Sequence, residues 1–409
     1  MEFIGDFHIH GPYAQACSRN TTLEKLESSA KIKGVNILGT GDCLHPKWNE
    51  AINKELKEDE NGILWSKGRF PFILQTEICL MYTKAGKGRR IHYVILFPNK
   101  DVVKQVRDAL LKRGRLDYDG RPIFGIDSIE FLDMMRSIST NIEIIPGHAW
   151  TSWMGIFGSK SGFDSVEECF EERSKYINAI ETGLSSSPLM NRRLSRLDRY
   201  NLVSFSDAHS YHLHRIGREA TIFNCELKYK SILGAIRTGD GLSGTIEVDP
   251  KIGKYHEDGH RKCGIHVGYK ESKNLSRICP RCKTPMTIGV EYRIEELADR
   301  EKPKNVPEFK TLIPLTELIA TVYGIKQLQS KKVGDIYNKL INSFSNEYNI
   351  LLNVPAKNLN EVIHHKLTNL ILKSREKKLD INPGYDGVYG ELILDDKEKI
   401  KEQKTLTNF

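Results

Sequence analysis

Residues 2–10 read EFIGDFHIH, and residues 201–209 read NLVSFSDAH. Each is an apolar run that ends in two metal-capable side chains one residue apart: His8 with His10, then Asp207 with His209. On a strand, residues i and i+2 share a face and lie roughly 7 Å apart along the chain. One ion can therefore meet both members of a pair, while Ile9 turns toward the hydrophobic layer. Imidazole and carboxylate together suit Zn, Mn or Fe in a site that keeps a position for water.

The pattern extends outward from these two stretches. Further strand-like runs are VNILGTGD, FPFILQTEICLMY, RIHYVILF, NIEIIPGHAW and YINAIETG, and nearly every one carries an acidic or metal-capable residue at or toward its end: Asp42, Glu77, His148 and Glu181. His92 differs, opening its run after AGKGRR as the return arm of a hairpin would. Amphipathic stretches such as TLEKLESSAKIKG and DVVKQVRDALLKRG lie between several runs, the second closing on Gly114 as a C-cap. Strand–helix alternation implies an α/β barrel or an open sheet. Polar residues gathered at successive strand ends favour the barrel, whose active face is built there. A lone residue of this kind is usually structural; its repetition is what points to a site.

The remaining composition bounds the answer. At 409 residues the chain should hold two or three domains, and 39% apolar with 28% charged residues fits a globular protein. There is no run of 18 or more apolar residues, and the N-terminus lacks a basic segment and small-residue cleavage site, so a cytoplasmic protein is expected. Neither a P-loop nor a dinucleotide fingerprint is present. From residue 251 onward, 28 Lys+Arg face 21 Asp+Glu, so this part carries +7 of the total +8. A basic back half suits a polyanion, or equally a Lys-rich solvated surface.

Of eight cysteines, five are scattered and three cluster as Cys263 and Cys279-x-x-Cys282. His260 precedes Cys263 by the same two-residue gap, giving H-x2-C…C-x2-C, the spacing of a closed Cys3His structural zinc site. His256 or His266 would not reproduce the paired spacing. Arg261, Lys262, Arg277, Arg281 and Lys283 surround it, placing positive charge where phosphates could be gripped. A linker is expected at ADREKPKNVPEF. In KKVGDIYNKLINSF, Val333, Ile336, Tyr337, Leu340, Ile341 and Phe344 form a helical core stripe. INPGYDGVYGE reads as a Gly-rich turn that allows close backbone approach. These breaks divide the chain into 1–245, 250–300, 305–395 and a tail at 396–409.

HIH, the second-run Asp, TE, His92, GHAW and SDAH resemble the motifs of the PHP (polymerase and histidinol phosphatase) superfamily of metal-dependent phosphoesterases. The resemblance covers residues 1 to about 240 and implies a distorted (β/α)7 barrel. It implies one metal held by His8, His10, Glu77 and Asp207, with Glu77 bridging to a second held by His92 and His148. Asp42 and His209 would serve a third metal or orient the attacking water. Asp207, Asp42 and Glu77 would then carry catalysis, with two or three divalent ions (Zn, Mn or Mg). Cys43 stands where many three-metal members have His, and GPYAQACS lacks a further His they carry. Glu181 fits a group that orients a ligand, or a satisfied strand-end carboxylate.

The barrel, zinc module and helical region, with TGDCLHPKW, SDAHS…HRIGRE, DPKIGKYH, RIEELADREKPK and PGYDGVYGE, resemble the endonuclease Q family from end to end. That resemblance implies DNA nicking on the 5′ side of hypoxanthine, uracil, xanthine and abasic sites, leaving 3′-hydroxyl and 5′-phosphate ends. Its partners would be double- and single-stranded DNA with damaged bases, met by a monomer, with no membrane. Reaching such a nucleotide requires extruding it, and Trp150 and Trp153 are candidates to stack on the base, although loop tryptophans as often pack. Gln403, Leu406 and Phe409 match the Q-x-x-h-x-x-aromatic pattern of sliding-clamp-binding tails. The rival readings are a small-molecule phosphatase, which would need neither zinc module nor basic half, and a non-catalytic nucleic-acid-binding protein, which would not keep a full ligand set.

Overall fold

The computed structural model describes residues 2–395 and 398–400. Its longest strand, Pro71–Lys84, turns at Ala85–Gly86 and returns as Lys87–Phe97. Both turn residues have positive φ (54° and 73°), the backbone a tight hairpin requires. The two arms pair from Leu74↔Phe97 to Lys84↔Lys87. His92 thus lies on a hairpin return arm, as the sequence indicates. Alternation then sorts the side chains: Tyr93, Ile95 and Phe97 join one apolar cluster, Val94 and Leu96 another. His92 shares the face of Val94 and Leu96, and Glu77 shares that of Ile73.

Around this hairpin stands a mixed α/β structure with a central sheet of eleven strands. Glu2–Asp6 pairs in parallel with Ile37–Gly39, and Ile37–Gly39 with Pro71–Lys84. Strand Glu143–Pro146 adds to Lys87–Phe97, while Ala220–Asn224 and Leu242–Glu247 extend the other side. Ala179–Glu181 and Asn201–Val203 form a separate parallel pair. A single bridge, Ile9↔Ala208, links the segment after Glu2–Asp6 to the one after Asn201–Val203. The first helix, Leu23–Lys33, is bounded by Thr22, whose hydroxyl accepts from Lys25 N, and by Gly34 at φ 98°.

Two expectations need adjusting. The helix placed at 101–114 spans Lys100–Leu111, and Gly114 lies beyond its C-cap, Lys112. The segment read as a linker is anchored at both ends. Arg300 forks onto Asp198 at 3.0 and 2.6 Å, and Phe309–Thr311 adds a parallel strand to Leu242–Glu247. Prolines and charges signal a break in secondary structure there, but not freedom. Beyond it, helices Leu315–Val322, Lys331–Phe344, Glu347–Leu352, Ala356–Val362 and His365–Arg375 pack together. Lys33, from the first helix, ends in a fully buried ion pair with Glu347 at 2.7 Å. No described helix is long and apolar enough to cross a membrane.

Candidate metal centre and its cavity

His8 and His10 lie just past their strand, on either side of the bridged Ile9. His10 Nε2 lies 3.1 Å from Glu77 Oε2 and 3.3 Å from Asp207 Oδ1; His8 Nε2 is 3.5 Å from Glu77 Oε1 and 3.6 Å from Asp207 Oδ1. These four residues form one group of donors within 4.8 Å of one another, and Glu77, His92 and His148 form a second. In the second, Glu77 Oε1 is 2.6 Å from His92 Nδ1 and 3.2 Å from His148 Nε2. Glu77 belongs to both groups.

The donor set also carries the mark of an ion. His8 Nε2, His10 Nε2 and Asp207 Oδ1 are buried with no hydrogen-bond partner, although all three point at the same small volume. Buried polar atoms are rarely left so, and a cation seated there would satisfy all three. The opposite ring nitrogens are fully engaged. Glu181 takes His8 Nδ1 at 2.9 Å, and Asp42 takes His10 Nδ1 at 2.9 Å while also accepting from Gly11 N at 2.7 Å. Such contacts fix the tautomer that leaves Nε2 free to ligate.

Charge is strongly coupled here. Burial favours neutral imidazoles, yet Glu181 and Glu77 outweigh it and hold His8 well above its ordinary range; for His10, Asp42 leads the opposing contributions. Burial likewise pushes Glu77 up, but His92, Arg121 and His8 hold it well below the usual carboxylate range. His92 goes the other way, down to about 4, because burial prevails over Glu77. Three residues of the centre have left-handed backbone: Asp42 (φ 40°), His148 (φ 27°) and Asp207 (φ 47°). Such conformations cost energy and concentrate at functional sites.

Several expectations change. Asp42 faces the back of His10, and His209 turns its Nδ1 to the Asp207 carbonyl at 2.9 Å; neither is among the donor groups that converge within 4.8 Å among the described residues. Trp150 is buried, donates to Asn191 Oδ1 at 2.8 Å and packs on Phe157. It is a core residue and cannot meet an extruded base; Trp153, 44% exposed, can. Gln403, Leu406 and Phe409 lie outside the described residues. His260, Cys263, Cys279 and Cys282 do converge within 4.8 Å, with His260 Nδ1 3.2 Å from Cys282 Sγ. His266 instead bonds Glu257 at 2.6 Å.

The sequence reading missed what borders the centre. A cavity of about 670 Å3 is lined by His148 and Asp207 together with Arg215, Arg218, Lys254 and Tyr389. Arg218 donates to the carbonyl of Ser206 at 2.8 Å, bracing the Asp207 turn. Burial pushes the Tyr389 phenol up, but Arg215, Lys254 and Arg218 outweigh it and hold it down. Tyr389 arrives on the Gly-rich turn: a Cβ on Gly384 or Gly390 would stand 2.1 Å from a carbonyl of Gly253 or Lys251. The close approach foreseen for this turn is to the chain's own 251–253 segment.

The same overall fold exists in known proteins. The lesion-specific endonuclease of Pyrococcus furiosus matches with a TM-score of 0.86 and 31% identity, over 97% of this chain and 96% of that one. Endonuclease Q bound to a 27-mer duplex with an abasic lesion at its active site matches at 0.87 and 31%, over 99% and 100%. This chain belongs to the endonuclease Q family. Like its family, it is an endonuclease, and the donor groups above are its candidate metal centre. A family model described as the MJ0043 C-terminal domain matches residues 314–378. Protein MJ0043 of Methanocaldococcus jannaschii is 32% identical over 307 residues, 73% of this chain; the chain spans 37% of that protein's length.

Proposed function

We propose that the protein hydrolyses DNA on the 5′ side of damaged nucleotides, deaminated bases and abasic sites, using two divalent ions held by the two donor groups. The observation that carries the reading is the convergence of three partnerless buried donors, His8 Nε2, His10 Nε2 and Asp207 Oδ1, beside a cavity walled by cations. Divalent ions there would supply Lewis acidity, lowering the pKa of a nearby water and countering phosphoryl charge. The residues do the rest. His8, His10, Glu77 and Asp207 would hold one ion and Glu77 with His92 and His148 the other, while Glu181 and Asp42 orient the His8 and His10 rings. Arg215, Arg218 and Lys254 would take the phosphates flanking an extruded nucleotide, with Tyr389 beside its base or sugar.

The strand set supports a seven-stranded barrel of the PHP type, joined through the Ile9↔Ala208 bridge, as the unit within residues 1–245. Residues 250–300 serve as a zinc-binding module held by His260, Cys263, Cys279 and Cys282, and 305–395 as a helical DNA-binding region. Thr284 hydrogen bonds bring the Cys282 thiol down to about 6, while burial and the neighbouring thiols push Cys263 up to about 11. Clamp docking by Gln403, Leu406 and Phe409 stays within the proposal.

The test is incubation of the protein and its Asp207→Asn variant with hypoxanthine-, uracil- and abasic-site duplexes and Mn, Mg or Zn. Wild type should nick 5′ of the lesion and spare undamaged DNA; the variant should lose at least about a hundredfold in rate. A wild type that leaves every lesion duplex intact, or a variant that nicks equally, would overturn the reading. Release of phosphate from histidinol phosphate would favour the phosphatase instead.

A further inference from the structure

Arg121 reaches the centre from a loop that no motif marks. Its Nη1 lies 3.2 Å from Glu77 Oε2, the oxygen that His10 Nε2 also approaches. The loop is built for that reach. Asp119 Oδ1 accepts from Gln15 N and from Arg121 N itself, at 3.1 and 3.0 Å. Gly120 is required: a Cβ there would stand 2.2 Å from Asp42 Oδ2 and 2.9 Å from Ala14 N. Immediately downstream, Pro122 accepts from Cys79 N, and Ile123–Phe124 pairs with Cys79–Leu80. Arg121 is thereby clamped on both sides beside Glu77.

A guanidinium that balances a carboxylate frequently forks onto it with two nitrogens. This chain does so elsewhere: Arg300 on Asp198, Arg115 on Asp117 and Arg173 on Asp133. Arg121 uses one arm. Glu77 is its one hydrogen-bonded partner among the described residues, and its side chain is 20% exposed, so the nitrogens that Glu77 does not engage remain available to a ligand. A fixed cation with unused planar donors beside two ion positions is what a phosphoryl oxygen would meet.

We propose that Arg121 is a catalytic residue that donates hydrogen bonds to a non-bridging oxygen of the scissile phosphate. This rests on the phosphodiester reading above. In that hydrolysis a water oxygen bonds to phosphorus and the bond from phosphorus to O3′ breaks. The bonding pair leaves with O3′, which takes up one proton, while the water yields one to solvent. Arg121 stays protonated throughout. Its hydrogen bonds strengthen as charge gathers on the phosphoryl oxygens.

The test compares wild type with Arg121→Ala and Arg121→Lys on a uracil duplex in single turnover, with ions per chain counted by elemental analysis. Arg121→Ala should slow nicking about a hundredfold, as loss of one charge-stabilising donor does, with the ion count unchanged. Arg121→Lys should keep part of that rate. A phosphorothioate at the scissile position should slow the wild type more than Arg121→Ala, a difference that a structural role would not produce. Nicking by Arg121→Ala within threefold of wild type, or a rate loss matched by lost ions, would overturn the assignment. Failure of the wild type to nick would instead defeat the phosphodiester reading beneath it.

Discussion

Glu181 grips His8 Nδ1 with both oxygens, at 2.9 and 3.0 Å, and one of those oxygens also accepts the backbone N–H of His148. A single carboxylate therefore positions one donor from each group. Asp42, by contrast, steadies only His10 and the adjoining Gly11.

Glu181→Gln should weaken binding of both ions, whereas Asp42→Asn should weaken chiefly the one that His10 serves. Loss of a carboxylate behind a ligating histidine typically costs 10–100-fold in affinity. Calorimetric titration of metal-stripped protein with Zn or Mn resolves the two; identical isotherms for wild type and Glu181→Gln would contradict the role.

The two tryptophans after His148 should separate cleanly. Trp150→Ala empties a buried site and breaks the bond to Asn191, so it should cost about 3–5 kcal/mol in chemical denaturation. Trp153→Ala should leave stability nearly unchanged, and any change in discrimination between lesion and intact DNA would mark Trp153 as the stacking side chain.

Cys279 is fully buried in a small cluster with Val267 and Met286. Cys279→Ser should release one ion per chain, and limited proteolysis should then open the chain between residues 254 and 290. Elemental analysis with peptide mapping checks both, since a module of this size depends on its metal to fold.

Glu219 and Glu247 supply a pH dependence of the fold. Burial pushes Glu219 up to about 8 from 4.5, and burial with the neighbouring Glu219 charge pushes Glu247 well above its ordinary value. Between about 4.5 and about 8 the folded protein keeps a proton on Glu219 that the unfolded chain has lost. Stability must fall as pH rises through that window. Glu219→Gln should flatten the fall, seen as a melting temperature that declines less between pH 5 and pH 8.

What was legible in the chain follows from periodicity. His8 and His10, His148 and Asp207 announce themselves because a metal-capable residue closing an apolar run is unusual and its repetition more so, whereas Glu77 and His92 stand inside their strands. H-x2-C…C-x2-C is legible because its gaps suit one ion. Asp42 was not resolved, since a carboxylate at a strand end reads the same whether it faces an ion or the back of an imidazole. Trp150 was not resolved, because a tryptophan near a motif looks alike packed or exposed. Arg121 is one of 61 lysines and arginines, and only the fold of its loop sets it apart. Arg215 and Arg218 follow Asp207 closely, but nothing local in the sequence brings them together with Lys254 and Tyr389.

The Gly-rich turn that brings Tyr389 to the cavity has a consequence for biosynthesis. Every proposed ion-holding side chain of the centre has been translated by Asp207, and Arg215, Arg218 and Lys254 of the cavity lining follow within about 50 residues, but Tyr389 is made some 180 residues later. A nascent chain can gather its ions long before it can enclose a nucleotide. DNA met during synthesis would find a centre whose cavity still lacks Tyr389, the side chain proposed to sit beside the base or sugar.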